Sequence, residues 1–352
     1  MQLRPATDAD ADAWRAHLAA SASGDFLHDW AWGQVVAFDG QPHHRFVLED
    51  EGEVVAILAA QERTLLAGRT FWYVPHGPVF DWAAPRAGER IRAILIGLRV
   101  IARRHGAIAV KLEPRLEAGA PELEILRGRG LRAMSDTLQV GQTRLVELAD
   151  DETLLGSFDK DTRYAVRRSE REGVTIEIAE DSGDLSAIEA LHRLVQETQR
   201  RAGFPLPPLE RYRIAWRALA GEGRAVIVEA RRAGELLASG MVVIEGDRSY
   251  YLFSGSRREE PGEPKHYASY ALQWAMMRLA RDRGVRIHDL WGVAPPGAGP
   301  EHPWHGVGLF KKGFGGREAT WAGSWDLVVD PTLYRLRAAA GILRGWLRKA
   351  SR

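Results

Sequence analysis

Two adjacent lysines in the segment FKKGFGG (residues 310–316) are the residues whose type and spacing most suggest chemistry in this chain. Only six of the 48 lysines and arginines are lysines, and two of these, Lys311 and Lys312, stand side by side between Phe310 and Phe314. Lysine supplies a compact, mobile ammonium, whereas arginine supplies a flat, forked cation. Neighbouring glycines permit tight turns and the close approach of a substrate. The segment is therefore either a cation positioned for function or a solvated turn at the end of a strand.

A long loop rich in glycine and proline, residues 291–310, precedes this segment. Loops of this length in compact domains are disordered or serve as functional lids. We interpret it as a lid whose end carries Lys311. His302 and His305 within it have i, i+3 spacing, but no third ligand is evident, so no metal site is expected.

Several kinds of catalytic site are excluded by the residues themselves. The chain has no cysteine, which excludes disulfides, zinc–thiolate sites and thiol nucleophiles. The G-x-S-x-G, P-loop and G-x-G-x-x-G motifs are absent. The neighbours His28–Asp29 and His288–Asp289 cannot each form a proton relay, because adjacent strand residues point to opposite faces. Nothing supports a covalent mechanism, and no cofactor is expected.

Length and composition indicate a globular protein of two domains. A chain of 352 residues exceeds the usual size of one hydrophobic core. The net charge of +1 argues against an extensive nucleic-acid-binding surface but permits a local basic patch. The acidic N-terminus does not resemble a signal peptide, and no run of 18 apolar residues could span a bilayer. We therefore expect a cytoplasmic protein.

The chain repeats one pattern of predicted elements at a spacing of about 180 residues, which indicates a domain duplication. Each copy has a strand–turn–strand pattern, an aromatic strand, a long helix ended by glycine and a final strand. The hairpins lie at 46–56 and 227–238, and the long helices at 86–105 and 265–283. We predict mixed α/β (α+β) domains, each a curved, mostly antiparallel sheet flanked by helices, over residues 1–150 and 151–330.

Two predicted helices carry basic side chains. In the helix at 160–172, Arg163, Arg167 and Arg171 share one face and could meet phosphates, although a salt-bridged surface helix explains them equally well. After Asp330 the chain has no acidic residue, and residues 331–352 predict a basic amphipathic helix. Such a helix either packs on its own domain or rests on an anionic membrane.

Taken together, seven motifs in a fixed order resemble the FemABX family of peptidoglycan-bridge aminoacyltransferases, in its type without a coiled-coil arm. The resemblance extends from about residue 25 to 330. The motifs are FLHDWAWGQV (26–35), YVPHGPVFDW (73–82), RYAVRRSEREGV (163–174), YYLFSGS (250–256), HYASYALQWAMMRLARDRG (266–284), HDLWGV (288–293) and FKKGFGG (310–316). The resemblance implies two tandem GNAT-like domains.

The resemblance also implies an activity, which is transfer of an amino acid from aminoacyl-tRNA to the side-chain amine of a peptidoglycan precursor's stem peptide. It implies that Lys311 stabilises the tetrahedral intermediate, that Arg201 meets precursor phosphates and that Glu113 lies near the precursor peptide. The remaining substrate-contacting candidates in the matching motifs are Phe310, Trp32, Tyr251 and Tyr267. Well-studied relatives have a phosphate-binding lysine just after the first-motif tryptophan, where this chain has Gln34 and Val36.

The implied partners are aminoacyl-tRNA and a nucleotide-linked or lipid-linked precursor, and a monomer is expected at the inner face of the membrane. A first alternative is a CoA-dependent N-acyltransferase of the same double architecture, although the usual pyrophosphate-binding motif of such enzymes is absent. A second alternative is a non-catalytic cell-envelope or tRNA-binding protein that retains the fold. Because an aminoacyl ester is already activated, transfer needs positioning and a cation rather than a side-chain nucleophile.

Overall fold

The computed structural model describes residues 1–134, 136–202, 205–259, 262–337 and 339, with the side chains of these residues except 66, 201 and 202. The chain forms two compact units. The first comprises Met1–Gln139 and the described residues from Trp321 onward, and the second comprises Val140–Thr320.

The first unit contains a seven-stranded sheet, counted over the described residues, in the order β1-β2-β3-β4-β5-β14-β6. Its strands are β1 (Gln2–Pro5), β2 (His43–Asp50), β3 (Glu53–Thr64), β4 (Thr70–Val74), β5 (Ala107–Leu112), β6 (Leu131–Met134) and β14 (Ser324–Val328). Its helices are α1 (Ala11–Ala20), α2 (Gly33–Phe38) and α3 (Ala87–Arg104).

The second unit contains a sheet of the same size within the described residues, in the order β13-β7-β12-β11-β10-β9-β8. Its strands are β7 (Gln142–Glu147), β8 (Val174–Ala179), β9 (Ala225–Arg232), β10 (Glu235–Glu245), β11 (Arg248–Ser256), β12 (Ile287–Gly292) and β13 (Arg317–Thr320). Its helices are α4 (Asp151–Ser157), α5 (Lys160–Arg171), α6 (Ser186–Ala202), α7 (Leu209–Ala220), α8 (Ala268–Asp282) and α9 (His305–Gly313).

The two sheets have the same topology, which confirms the predicted fold class. In each sheet one neighbouring pair is parallel, β4 with β5 and β11 with β12, and the other pairs are antiparallel. Each parallel pair is connected by a long helix, α3 in the first unit and α8 in the second. This strand–helix–strand connection is the repeated pattern that the sequence predicted.

Glycines end both connecting helices and shape both hairpins. Gly106 follows α3 at φ 72°, and Gly284 follows α8 at φ 82°, the left-handed conformation that closes a helix. The β2–β3 turn has positive φ at Glu51 and Gly52, and the β9–β10 turn has it at Ala233 and Gly234. Two successive residues with positive φ match the twist of antiparallel strands, so these short turns fix the hairpins.

The apolar residues of α3 recur at helical spacing and are buried against the first sheet. Ile91, Ile94, Leu95 and Leu98 are each 5% exposed or less and belong to one core cluster with Trp72 of β4. Burying each such side chain stabilises the fold by about 1.5–3 kcal/mol. In the second unit Leu272, Met276 and their neighbours on α8 form the equivalent core against β9 and β10.

The boundaries of the two units differ from those predicted. Strand β7, residues 142–147, was assigned to the first domain (1–150) but pairs with β12 and β13 of the second sheet. Strand β14, residues 324–328, was assigned to the second domain (151–330) but pairs with β5 and β6 of the first sheet. Each sheet therefore includes one strand from a part of the sequence that was predicted to belong to the other domain. Local sequence patterns do not encode this pairing.

Only the start of the predicted C-terminal helix lies within the described residues. Residues 331–337 are helical, and Asp330 caps them by accepting a hydrogen bond from the Leu333 amide at 3.0 Å. The rest of the predicted helix, apart from residue 339, lies outside the described part. Among the residues described, none of the helices combines the length and the apolar composition needed to cross a bilayer.

Candidate active site

The side chain of Lys311 is buried in the last turn of α9 and aimed at the end of β12. Its relative exposure is 7%, whereas the next residue, Lys312, is exposed. The Lys311 ammonium donates hydrogen bonds to the backbone oxygens of Gly292 at 2.7 Å and Trp291 at 3.3 Å. Its Nζ atom lies 6.0 Å from the centre of the Tyr251 ring. The alternative of a fully solvated lysine pair is therefore wrong for Lys311.

Burial changes the protonation of this lysine. Desolvation lowers the pKa of Lys311 from 10.5 to about 8, and the nearby Asp289 carboxylate acts in the opposite direction. With a pKa near 8, roughly nine-tenths of the molecules still carry the charge at pH 7. The site therefore holds a buried cation whose charge disappears under mildly alkaline conditions.

Asp289 shapes the backbone that receives the Lys311 ammonium. Its Oδ1 atom accepts hydrogen bonds from the Trp291 amide, at 2.8 Å, and from the Thr143 hydroxyl. Trp291 has a φ of 60°, the left-handed conformation that a bulky residue rarely adopts. Such a conformation costs of order 1–3 kcal/mol and persists where its surroundings hold it. Asp289 thus fixes the turn that presents the Trp291 and Gly292 carbonyls to Lys311.

His288 points to the opposite side of β12 and takes no part in this arrangement. Its Nδ1 atom lies 2.7 Å from the Ser249 hydroxyl, and Gln273 Nε2 donates to its Nε2 atom at 2.8 Å. Burial lowers the pKa of His288 to about 3, so the ring is neutral. The neighbours His288 and Asp289 therefore contact different groups, as predicted from strand alternation.

The FKKGFGG segment is the end of a helix followed by a tight reversal, rather than a glycine-rich turn throughout. Helix α9 begins at His305, so the last six residues of the predicted lid are helical and residues 293–304 form the loop. Gly315 and Gly316 then adopt φ values of 71° and 66°. A Cβ atom on Gly316 would lie 2.2 Å from the Leu145 oxygen. These glycines allow the chain to turn closely against the sheet.

A sequence model of the FemAB family matches residues 220–341, which include α8, β12 and α9. Among curated proteins, the lipid II:glycine glycyltransferase of Staphylococcus aureus strain MRSA252 is 23% identical over 401 aligned residues. That alignment covers 91% of this chain and 92% of the relative. The same protein of strain USA300 aligns at 23% identity over 89% of this chain.

Solved structures share the fold over nearly the whole chain. The crystal structure of FemX matches with a TM-score of 0.85 at 20% identity, covering 96% of this chain and 99% of that one. The chain is similar to the FemAB family. A tandem GNAT protein from the clavulanic acid biosynthesis pathway also matches, with a TM-score of 0.52 at 15% identity and coverage of 94% and 99%. The fold thus has the tandem GNAT-like architecture that the motifs predicted.

Three further candidate residues lie in the same unit as Lys311. Burial raises the pKa of Tyr251 to about 12, so its hydroxyl stays protonated beside the lysine. Phe310 packs on Tyr270 with ring centres 5.2 Å apart. Tyr267 lies at the start of α8 with φ 57°, and its ring centre is 6.4 Å from that of Tyr270. An aromatic row of Tyr267, Tyr270 and Phe310 therefore connects α8 to the helix that carries Lys311.

Glu113 lies in the first unit, directly after β5, and its carboxylate already binds internal donors. It accepts hydrogen bonds from the Tyr73 hydroxyl at 2.6 Å and from the amides of Leu138 and Gln139 at 2.6 and 3.1 Å. Only 3% of the residue is exposed. The Glu113 carboxylate therefore holds the backbone at residues 138–139 in place.

Trp32 is a core residue of the first unit, and the Arg201 side chain lies outside the described part of the structure. Trp32 is 4% exposed and contacts Phe26 edge-on, with ring centres 5.1 Å apart. After it, Gln34 is exposed on α2 and Val36 is buried. The position at which the resemblance implied a phosphate-binding lysine is thus occupied by an uncharged surface residue and a core residue.

Sequence reasoning did not identify the residues that support Lys311. Asp289, Thr143 and the carbonyls of Trp291 and Gly292 form its surroundings, yet Asp289 was considered only as a partner of His288. One usable signal was present, since HDLWG places a buried carboxylate at the end of a strand that directly precedes the loop to Lys311. The left-handed conformation of Trp291 has no sequence signal, because it depends on the hydrogen bond that its amide donates to Asp289.

Proposed function

We propose that this chain transfers an amino acid from aminoacyl-tRNA to the side-chain amine of a peptidoglycan precursor's stem peptide. The observation that supports this most is the buried ammonium of Lys311, held by two backbone oxygens and still charged at neutral pH. Oriented cations in sites shielded from water stabilise negative charge that develops during a reaction. Attack of an amine on an ester develops such a charge.

The proposed reaction needs no side-chain nucleophile. The acceptor amine attacks the carbonyl carbon of the aminoacyl ester, and the carbonyl oxygen becomes an oxyanion that the Lys311 ammonium stabilises. The bond from carbon to the tRNA 3′-oxygen then breaks, and the amine proton is lost as that oxygen gains one. The products are an amide and free tRNA. Nearby, Tyr251 and the aromatic row of Tyr267, Tyr270 and Phe310 provide apolar surface for the acyl group and for the terminal adenosine of the tRNA.

A basic and aromatic face on α5 supports tRNA as the acyl carrier. Lys160, Tyr164, Arg167 and Arg171 are all exposed and recur at helical spacing. Tyr164 is 51% exposed, and its ring lies edge-on to that of Tyr267 at 6.1 Å. Lysine and arginine contact phosphates, and exposed aromatic rings stack on unpaired bases. Arg163, by contrast, donates to the Phe158 backbone oxygen, so it stabilises the helix start.

The names of the relatives guide the choice of substrates. They give glycine as the amino acid and lipid II as the acceptor for those proteins, so glycyl-tRNA and lipid II are the first substrates to assay. A lipid-linked acceptor fits a protein that works in the cytoplasm at the inner face of the membrane, which the basic residues after Asp330 would help to contact. We expect a monomer to be sufficient, because each proposed group belongs to one chain.

The decisive test is mass spectrometry of the acceptor after incubation with the purified protein. Lipid II and the nucleotide-linked precursor are each incubated with a tRNA pool charged with all amino acids, or with acetyl-CoA. The proposal predicts a mass increase of one amino-acid residue, located on the stem-peptide amine, only in the presence of charged tRNA. Acetylation by acetyl-CoA would instead identify a CoA-dependent N-acyltransferase. An unmodified acceptor in every reaction would exclude the proposed activity.

A further inference from the structure

Two histidines and a glutamate from three separate elements of the first unit meet at one point. His44 lies on β2, Glu62 on β3, and His105 directly follows α3. One potential ligand atom from each residue lies within 4.8 Å of those of the other two. The closest pair is His44 Nε2 and Glu62 Oε2, separated by 2.8 Å.

The surrounding residues orient the side chains of His44 and Glu62 and hold the backbone at His105. The indole nitrogen of Trp72 donates to Glu62 Oε2 at 3.0 Å, and the Trp72 ring stacks on His44 with ring centres 4.5 Å apart. The backbone at His105 is held by Thr70, whose amide donates to Gly106 at 3.3 Å. Hydrogen-bonding and stacking partners of this kind orient the ligands of metal sites.

The cluster is also accessible from solvent. The side chains of His44 and Glu62 are 22% and 15% exposed, and His105 is exposed. An ion can therefore enter without unfolding the sheet. A water molecule can complete its coordination from the open side.

We propose that His44, Glu62 and His105 bind one transition-metal dication, with Zn²⁺ as the ion best suited to them. Imidazole nitrogens and a carboxylate oxygen are ordinary ligands of Zn²⁺, at about 2.0–2.2 Å. At such distances tetrahedral ligand atoms are separated by about 3.4 Å, so small side-chain rotations bring the three atoms into place. The bound ion connects β2, β3 and the end of α3.

Binding displaces the proton that His44 and Glu62 share across their 2.8 Å contact. Zinc ligands must be deprotonated, so the ion takes the place of that proton. The three residues belong to the first unit and Lys311 to the second, and zinc binding can be measured without the transferase reaction.

The proposal is tested by titrating the full-length protein, freed of metal with a chelator, with ZnCl₂ against a chromophoric competing chelator. We expect one equivalent to bind, and Co²⁺ to give the visible absorption of a four-coordinate site with nitrogen and oxygen ligands. His105→Gln, at an exposed position, should weaken binding about 100-fold or more, since even losing a partner of a ligand costs 10–100-fold. Glu62→Gln should also weaken the binding of Zn²⁺.

His302→Gln, which alters a histidine of the second unit, is the matched control and should bind as the unaltered protein does. Zn²⁺ should also raise the unfolding temperature of the unaltered protein and of the control, but not of His105→Gln. The proposal is overturned if the unaltered protein binds no equivalent of Zn²⁺. It is equally overturned if binding is the same after His105→Gln and Glu62→Gln, which would place the ion elsewhere.

Discussion

Replacing Lys311 by methionine removes the ammonium and keeps a flexible side chain of similar length in the buried site. If the ammonium stabilises the oxyanion, the rate of aminoacyl transfer should fall with little change in the binding of either substrate. The lysine is 7% exposed, and its charge is held by two backbone oxygens rather than by bulk water. Removing one such group from an enzyme lowers kcat by about 100–1,000-fold, or about 2.7–4 kcal/mol of transition-state stabilisation.

The assay is single-turnover transfer of a radiolabelled amino acid from tRNA to the precursor, which measures the chemical step without product release. Lys312→Met is the matched control, because it removes an adjacent but exposed lysine from the same helix. We expect the control to lose less than about threefold, since exposed charges interact weakly with buried sites through water. Near-normal transfer by Lys311→Met, or equal losses in the two variants, would refute the assignment of the ammonium.

The remaining predictions concern protonation, backbone support and tRNA binding. Lys311 has a pKa of about 8 when folded and 10.5 when unfolded, so the unfolded chain binds more protons between these values and stability rises with pH. Relative to Lys311→Met, the unaltered protein should gain about 3 kcal/mol in free energy of unfolding between pH 8 and pH 10.5, measured by urea titration; parallel curves would contradict this. Asp289→Asn removes the carboxylate that raises the Lys311 pKa, so the alkaline loss of single-turnover activity should begin at lower pH, and an unchanged profile would count against their coupling. Glu113→Gln cannot satisfy all three donors of the carboxylate and should destabilise the protein by about 1–3 kcal/mol in thermal unfolding; an unchanged melting curve would contradict that role. Replacing exposed Arg167 and Arg171 by glutamine should weaken tRNA binding and reduce the slope of log affinity against log salt by about two, and an unchanged slope would exclude this face.

Sequence patterns within each helix predicted the two connecting helices, α3 and α8, with nearly correct bounds. Helix α3 was expected over 86–105 and spans Ala87–Arg104, and α8 was expected over 265–283 and spans Ala268–Asp282. Apolar periodicity marks the buried face of each helix, and a glycine with left-handed φ ends each one. These signals lie within the elements themselves and need no knowledge of the sheet.

The sheet to which β7 and β14 each belong could not be predicted from such local signals. β7 and β14 are short strands whose partners, β12 and β5, are distant in the sequence. The apolar pattern of a strand shows which face is buried but not which strand it joins. Pairing over such separations is decided by the complete sheet, so division of the sequence at the ends of the repeat placed both strands in the wrong unit.

The candidate site was predicted in part. The scarcity of lysine and the family resemblance identified Lys311, but its helix was interpreted as a turn because the glycines of FKKGFGG permit tight turns. The packing of Phe310 and Phe314 on Tyr270 compensates for this in the folded protein. Such packing is a tertiary effect, and it also creates the burial that lowers the Lys311 pKa.

The most direct test of the oxyanion assignment compares two stable analogues of the reacting ester on a terminal adenosine. One carries a tetrahedral, anionic phosphonate in place of the ester, and the other carries a planar, neutral amide. Groups that act in the transition state bind such anionic analogues more tightly than ground-state analogues. The account predicts that the unaltered protein and Lys312→Met prefer the phosphonate and that Lys311→Met loses this preference. An equal preference for the phosphonate in all three proteins would contradict it.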